Sequence, residues 1–252
     1  MSCAGKLSFA IQILMLAFFL TISASPPAKA ADRLLIVADP FPPFNYIENG
    51  EPAGLNFEIM KAILKDMNRD FELQHLPWKR ALLTVRKDRA DAVLDVSKDS
   101  KRDKYLIYPD ECLSESPVIV FYIRQRTFKY TGPESLGGKR IGVMEGYTYG
   151  EFFDKHPNLY VERVPSMEQN FMKLLRGRLD VVISYKEVGI STLKKMKISD
   201  KISYCKNPLL TIPLYIGFSK DRISKEFVAD FNARLHKFKK TGRIKPLLKK
   251  YN

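Results

Sequence analysis

Few residues in this sequence are of the kinds that hold metal ions or cross-link a small domain. Its 252 residues include three histidines and three cysteines, and the histidines, at positions 75, 156 and 236, do not have the spacing of metal ligands. No run of five basic residues occurs, and we find no nucleic-acid-binding motif. The sequence therefore argues against a zinc module, a disulfide-rich scaffold and a nucleic-acid-binding protein, and we expect no cofactor.

Long apolar runs are also missing, except near the N-terminus. There Leu7–Ile22 is apolar, Lys6 precedes it, and Ala28–Ala30 forms an A-x-A cleavage signal. The run is shorter than the roughly 20 residues that span a bilayer, and polar residues interrupt it. This pattern predicts a cleaved signal peptide, residues 1–30, and export of a mature protein that begins at Ala31. In a Gram-negative cell that protein would lie in the periplasm.

Acidic residues are too few to balance the basic ones. The formal net charge is +14, and it is +12 without Lys6 and Lys29. Such an excess suits nucleic acid, an anionic membrane surface or an acidic ligand, but the export signal argues against nucleic acid. The densest basic segment, 237–250, has the pattern of an amphipathic helix with a solvated face.

Two cysteines, Cys112 and Cys205, remain in the mature chain. An oxidising compartment permits a disulfide between them. Two buried free thiols are the equal alternative, because the sequence does not place the two Cα atoms relative to one another. The bridge is therefore an open question at this point.

The first part of the mature chain alternates between strand and helix patterns. Apolar or alternating runs predict strands at 34–38, 71–76 and 92–96. Between them, apolar residues recur at helical spacing in 55–67 and 78–85. This order is typical of an α/β fold with mainly parallel sheets.

The same order returns after a middle region. Strands are predicted at 139–144, 159–164 and 180–185, and Ser166 is placed to cap the helix that precedes the last of them. A glycine-punctuated turn into a helix is predicted at 145–153.

A short internal echo links the two parts. The segments 86–94, RKDRADAVL, and 175–183, LRGRLDVVI, each give an arginine, one residue, an aspartate and then a buried strand. Together with the repeated strand–helix order, the echo predicts two lobes of similar α/β build. Ligands of such folds bind beyond the carboxyl ends of strands, so we expect one cleft built from 39–44, 95–102, 145–149 and 184–187.

Arg102 follows the strand at 92–96 and has two interpretations. It can hold a carboxylate with two parallel hydrogen bonds, with Ser97 adding a hydroxyl, or it can pair with Asp99 in a solvated loop. Across the cleft, Gly146 and Thr148 stand at the start of a predicted helix, where free N–H groups favour an anion.

Three aromatic residues are candidates for the cleft. Phe41 follows a proline on a turn and can stack on a ligand, whereas Phe44 is more typical of a core residue under that turn. Trp78 begins a helix and fits either role. Arg80 is a second cationic group for the cleft rim or a solvated helix residue.

The motifs ADPFPPF, GLNFEIMKAIL, PWKRALLTVRKDRADAV, SKDSKRDKYLIYP, LGGKRIGVMEGYTYG, LLRGRLDVVIS and GRIKPLLKKY occur in this order. In this order they resemble the periplasmic solute-binding proteins of family 3, which serve ABC transporters for polar amino acids. The resemblance covers essentially the whole mature chain. PWKRA in particular is similar to a branch of the family with a PWxRA motif.

The resemblance implies a type II-like, two-lobed periplasmic binding protein fold with a hinged cleft. Residues 31–118 and 214–252 would form the first lobe, and 119–213 the second. A monomer that binds a small carboxylate and delivers it to an ABC permease or a sensor is expected.

The resemblance also assigns residues to the ligand. The family's carboxylate-binding arginine falls on Arg102 and its cleft serine on Ser97. The complete predicted set of ligand-binding residues is Phe41, Trp78, Asp95, Ser97, Arg102, Gly146, Tyr147, Thr148 and Tyr185.

One departure from the family bears on the ligand. Where relatives have the aspartate that pairs with an α-ammonium group, this sequence has Tyr185, followed by Lys186. Glu187 or Asp95 are the alternatives for that role. We therefore expect an acidic or otherwise non-standard small ligand.

An enzyme on the same scaffold is the alternative function. The cyclohexadienyl dehydratases resemble this family, and such a lyase would use Arg102 to hold a substrate carboxylate and Glu145 or Glu187 as the acid. No catalytic motif in the sequence supports this alternative directly.

Overall fold

A computed structural model of the chain describes residues 33–150, 153 and 159–251. The predicted signal peptide, residues 1–30, lies outside the described residues, as does most of the helix predicted after Gly150. Among the helices of the described part, none is long and apolar enough to cross a membrane.

The first part of the fold contains six strands and two helices. They are β1 (Leu34–Ala38), β2 (Tyr46–Glu48), β3 (Glu51–Ala53), α1 (Leu55–Asp66), β4 (Phe71–His75), α2 (Trp78–Arg86), β5 (Ala92–Val96) and β6 (Leu106–Ile107).

The later part begins with a long strand and ends with two helices. Its elements are β7 (Ser114–Ile123), a 3-10 helix (Pro133–Leu136), β8 (Arg140–Met144), β9 (Tyr160–Val164), α3 (Met167–Leu175), β10 (Val181–Tyr185), α4 (Lys186–Met196), β11 (Ile202–Tyr204), β12 (Leu210–Ser219), α5 (Lys225–Lys240) and α6 (Lys245–Tyr251).

These elements confirm the predicted strands and most of the predicted helices to within a few residues at their ends. The single helix predicted over 237–250 is wrong: α5 ends at Lys240, a turn with Gly242 at φ +76 follows, and α6 begins at Lys245. The apolar stripe of α1 is buried, as its four-residue spacing requires, through Leu55, Ile59 and Ile63. The hydroxyl of Ser166 accepts a hydrogen bond from the N–H of Gln169 at the start of α3, as an N-cap does.

The main sheet has the order β4-β1-β5-β12-β7-β10-β8-β9, with β6 on β12 and β11 on β7. We call β4, β1, β5 and the end of β12 the N-terminal half-sheet, and β7, β10, β8, β9 and the start of β12 the central half-sheet. β1 pairs in parallel with β4 and β5, and β8 pairs in parallel with β9 and β10. The mixed α/β fold and its parallel outer strands confirm the predicted fold class.

Two long antiparallel strands join the half-sheets, which the sequence patterns did not indicate. Leu210–Leu214 pairs with β7, and β12 then changes register near Tyr215 and pairs with β5. The expected crossings at 116–120 and 208–216 run along these two strands. The exact lobe boundaries remain a prediction.

Both cysteines of the described part are free thiols, so the disulfide that we considered is not formed. Cys112 packs against the hydrophobic cluster that contains Trp78, whereas Cys205 packs against the larger core. The two thiols thus pack against different hydrophobic clusters. Burial raises the pKa of both thiols.

Candidate functional site

A cavity lies where the carboxyl ends of β1, β5 and β10 meet the loop after β8. Its volume is about 310 Å³, part of it open to solvent, and it is lined by Asp39, Phe41, Trp78, Leu94, Asp95, Ser97, Arg102, Tyr147, Thr148 and Tyr185. Eight of the nine residues predicted to bind ligand therefore line one space. The ninth, Gly146, contacts two of the lining side chains through its carbonyl oxygen.

Arg102 is the cation of this cavity, and it is only 6% exposed. Its Nη1 donates to the carbonyl oxygen of Ser97 at 2.9 Å and to the Ser97 hydroxyl at 3.0 Å. Asp99 does not hold the guanidinium group, because its carboxylate accepts from the N–H of Lys101 instead. The pair with Asp99 is therefore wrong, and the side chain of Arg102 lines the cavity; its binding of a carboxylate stays a prediction.

The Gly146 carbonyl oxygen joins the two sides of the cavity. It accepts from Trp78 Nε1 at 2.8 Å and from Arg102 Nη2 at 3.2 Å. The guanidinium carbon of Arg102 also lies 5.5 Å from the indole ring centre, a cation–π distance. Residues 146–150 are not helical, and the contact that Gly146 makes to Arg102 is through its acceptor. The helix N-terminus expected at Gly146 and Thr148 is therefore not what meets Arg102.

Four aromatic rings form one wall. Tyr147 lies edge-on to Phe41 and Trp78, with ring centres 5.8 Å apart in each pair, and Tyr185 lies 5.3 Å from Phe41 and 6.1 Å from Tyr147. Phe44 stacks on Phe41 from below and does not line the cavity, as expected of a core residue. The wall offers apolar ring surfaces and edges to whatever enters.

Asp39, which belongs to the expected cleft segment 39–44 but not to the predicted ligand-binding set, also lines the cavity. Its Oδ2 accepts from the Tyr147 hydroxyl at 2.9 Å. Burial raises the pKa of Asp39 to about 6, and the hydrogen bond from Tyr147 only partly opposes this. A signal for it existed: Asp39 directly follows β1, where ligand-binding residues of such folds collect.

Asp95 is the second carboxylate. It is held by two amides, with Oδ2 2.5 Å from Asn45 Nδ2 and Oδ1 2.5 Å from Asn56 Nδ2. Burial raises its pKa to about 7, although both amide hydrogen bonds favour the ionised form. His75 continues the network, with Nε2 2.8 Å from Asn45 Oδ1, and burial lowers its pKa. Because both Asp95 oxygens are already bonded, Asp39 is the more available acceptor.

Several charged candidates lie elsewhere. Glu145 forms an ion pair with Lys79, and Glu187 accepts from the Ser116 hydroxyl at 2.5 Å. Neither of them lines the cavity, and neither does Lys186 or Arg80. The extra positive charge that Lys186 was expected to bring is thus not at the cavity. The charged residues of the lining are one arginine, Arg102, and two carboxylates, Asp39 and Asp95.

The family model for bacterial extracellular solute-binding proteins, family 3, matches residues 34–252. The chain belongs to this family. The match runs through both half-sheets and all the cavity residues, so the whole described fold is that of a family 3 solute-binding protein.

Individual relatives of this family 3 chain are distant but cover it almost completely. A putative ABC transporter arginine-binding protein 2 of Escherichia coli (strain K12) is 23% identical over 95% of this chain and 98% of its own. An arginine-binding periplasmic protein of Mannheimia haemolytica is 24% identical over 89% of this chain and 92% of its own.

Among solved structures, a histidine kinase sensor domain with similarity to periplasmic binding proteins superposes with a TM-score of 0.77. It is 18% identical and covers 87% of this chain and 96% of its own. At that identity the likeness bears on the fold alone. It confirms the two-lobed architecture predicted from the sequence.

Proposed function

We propose that this protein captures a small carboxylate-bearing solute outside the cytoplasm and presents it to an ABC permease or a sensor. Arg102 would hold the solute's carboxylate by charge-assisted hydrogen bonds, and Asp39 would accept from a donor or ammonium group at the other end. Ring surfaces of Phe41 and Tyr185 would cover the apolar part of the solute.

The observation that carries this proposal is the buried guanidinium group of Arg102 at the cavity wall. A buried charge is costly unless it is paired, and the contacts of Arg102 are to uncharged groups, namely Ser97, the Gly146 carbonyl and the Trp78 ring. A ligand carboxylate would supply the missing counter-charge.

Closure of the two lobes is the proposed mechanism. A solute that contacts Arg102 on one side and the loop at 146–148 on the other favours the closed arrangement, and a partner protein reads that arrangement. Export through the predicted signal peptide would place the mature chain where such a partner is accessible. The names of the two relatives, a putative ABC transporter arginine-binding protein and an arginine-binding periplasmic protein, support an amino acid or a related acid as the solute.

A thermal-shift screen of residues 31–252 against amino acids, small dicarboxylates and prephenate-like acids tests the proposal. Solute at 100 times its dissociation constant adds about 2.7 kcal/mol of stability, and each kcal/mol raises the melting temperature by about 2–4 °C for a chain of this size. We expect at least one hit, and we expect Arg102→Ala to weaken its binding by about 100-fold or more.

Arg80→Ala is the matched control. Arg80 is exposed on α2 and lies outside the cavity lining, so its removal should leave the hit unchanged. A hit that survives Arg102→Ala, or a complete screen without a hit, would overturn the proposal.

A lyase on this scaffold is the second candidate, and Asp39 is the observation that favours it. A carboxyl with a pKa of about 6 inside a cavity can donate a proton near neutral pH. Glu145 and Glu187, the acids considered from the sequence, lie outside the cavity lining. Incubation of each hit with the protein, followed by analysis for product, separates the two functions: turnover abolished in Asp39→Asn would establish the enzyme.

A further inference from the structure

Tyr147 occupies a position that a solute of the proposed class would otherwise use. Its ring lies against Phe41, Trp78 and Tyr185, and its hydroxyl donates to Asp39. The side chain thus uses the ring wall and one of the two carboxylates of the cavity at the same time.

The backbone next to Tyr147 is fixed. Gly146 has φ +79, a left-handed conformation that glycine adopts without strain, and its carbonyl oxygen is held by Trp78 and Arg102. A Cβ atom at this glycine would lie 3.1 Å from Trp78 Cδ1. These contacts fix the backbone of Gly146. The next side chain, that of Tyr147, therefore points into the cavity that Arg102 also lines.

The space left beside Arg102 is small. The volume of about 310 Å³ includes space that is open to solvent, so the enclosed room is below the roughly 300–1,000 Å³ of typical ligand sites. An extended side chain on a solute would have to enter the volume of the Tyr147 ring and break its hydrogen bond to Asp39.

We propose that Tyr147 is a specificity-determining residue that restricts the cavity to compact carboxylates, such as amino acids with short side chains. This inference rests on the proposed function. It separates the chain from the distant relatives named for binding arginine, whose ligand has a long side chain.

Isothermal titration with amino acids of increasing side-chain length, from glycine and alanine to lysine and arginine, tests the inference. We expect the wild type to bind a short member of the series at least tenfold more tightly than arginine. Tyr147→Thr removes the ring, and we expect the ratio of the arginine to the alanine dissociation constant to fall by tenfold or more.

Tyr147→Phe keeps the ring and removes only the hydroxyl. The same ratio should stay within about threefold of the wild type, because the size limit depends on the ring. Tyr160→Thr is the control for loss of a tyrosine, since Tyr160 is 69% exposed on β9, and it should change nothing.

The outcomes separate this inference from the proposed function. Wild-type binding of arginine as tight as that of alanine, or a ratio unchanged in Tyr147→Thr, overturns the size limit while the binding function stands. A loss of the limit in Tyr147→Phe also overturns it. If no member of this series, and no compound of the wider screen, binds the wild type or any variant, both fall together.

Discussion

The two half-sheets have the same hydrogen bonds at the start of one strand, β5 or β10, and different residues at the end of that strand. At the start of β5, Asp91 accepts from the N–H of Leu35 at 2.7 Å, and its own N–H donates to the Leu35 carbonyl at 2.8 Å. At the start of β10, Asp180 makes the same two contacts with Arg140, both at 2.8 Å. The similar segments 86–94 and 175–183 therefore form the same pair of hydrogen bonds, from an aspartate to the neighbouring strand, and we call each pair a clasp.

The opposite strand ends are unlike. β5 leads to Asp95 and on to Arg102, whereas β10 ends in Tyr185, whose hydroxyl donates to the Thr148 carbonyl at 3.1 Å. The charged residues of the cavity lining all come from 39–102, and the lining residues from 147–185 are uncharged. The hydrogen-bond arrangement at the strand starts is thus duplicated and the residues at the strand ends are not, so the charged side chains of the cavity lie on one side of it.

The largest effect on stability should come from removing the aspartate of the clasp at β5. We expect Asp91→Ala to lower the free energy of unfolding by about 2–3 kcal/mol, because the partly buried Leu35 N–H and the Arg222 guanidinium lose a charged acceptor. Asp180→Ala should cost about 1 kcal/mol, because its side chain is more exposed, 28% against 10%. Urea unfolding at neutral pH measures both.

Asp230→Ala is the control for these substitutions. Asp230 pairs with Arg234 on the surface of α5, and such pairs contribute about 0.5 kcal/mol or less. Equal losses in Asp91→Ala and Asp180→Ala would mean that exposure does not distinguish the two clasps.

The contributions of Asp95 and Asp180 to the free energy of unfolding should depend on pH with opposite signs. Because the pKa of Asp95 is raised to about 7, the folded protein holds this proton where the unfolded chain has lost it, and stability falls as pH rises from about 4 to 7. The Arg140 guanidinium lowers the pKa of Asp180 to about 2, so that contribution is present above about pH 4 and is lost as pH falls to about 2.

Each group changes the slope by at most about 1.4 kcal/mol per pH unit. Urea unfolding between pH 2 and 8 should show a shallower fall above pH 4 in Asp95→Asn and a shallower rise below pH 4 in Asp180→Asn. Identical profiles for the wild type and both variants would contradict the assignment.

Effects smaller than that of Asp91→Ala should come from two serine helix caps, one on α3 and one on α5. Ser166 caps α3 and Ser224 caps α5, each through a 3.2 Å hydrogen bond to the third N–H of its helix. Alanine at either position should cost about 1 kcal/mol, and the double variant about 2 kcal/mol, because the sites are independent. Aspartate at the same positions should restore the loss; a double variant far from additive would show that the two sides are coupled.

Local sequence patterns predicted most of the helices and strands. Apolar periodicity indicated α1, and buried runs indicated β1, β5 and β10, because each pattern reports which face of an element is covered. The pairing of β7 with β12 depends on contacts about a hundred residues apart in the chain, and no local pattern encodes such a pairing. The same limit applies to the cysteines.

The candidate site was foreseen by strand position and by family resemblance. Strand position and family resemblance can both identify a residue such as Arg102, which follows a strand and matches a motif. They placed Asp39 in the cleft segment 39–44 but did not select it as a ligand-binding residue, and its partner Tyr147 is 108 residues away. They also included Lys186 in the cleft segment 184–187, although its side chain is not among the lining groups. Side-chain direction depends on packing across the cleft, which neighbouring residues in sequence do not determine.

The single tryptophan of the chain gives the molecule an optical property of its own. Trp78 is nearly buried, and its indole N–H is bonded across the cavity to Gly146. Separation of the two sides would expose the indole to water, and its emission would move to longer wavelength. Emission excited selectively from the single tryptophan therefore reports on this part of the cavity wall, and opening of the cavity can be followed in real time without attaching a dye.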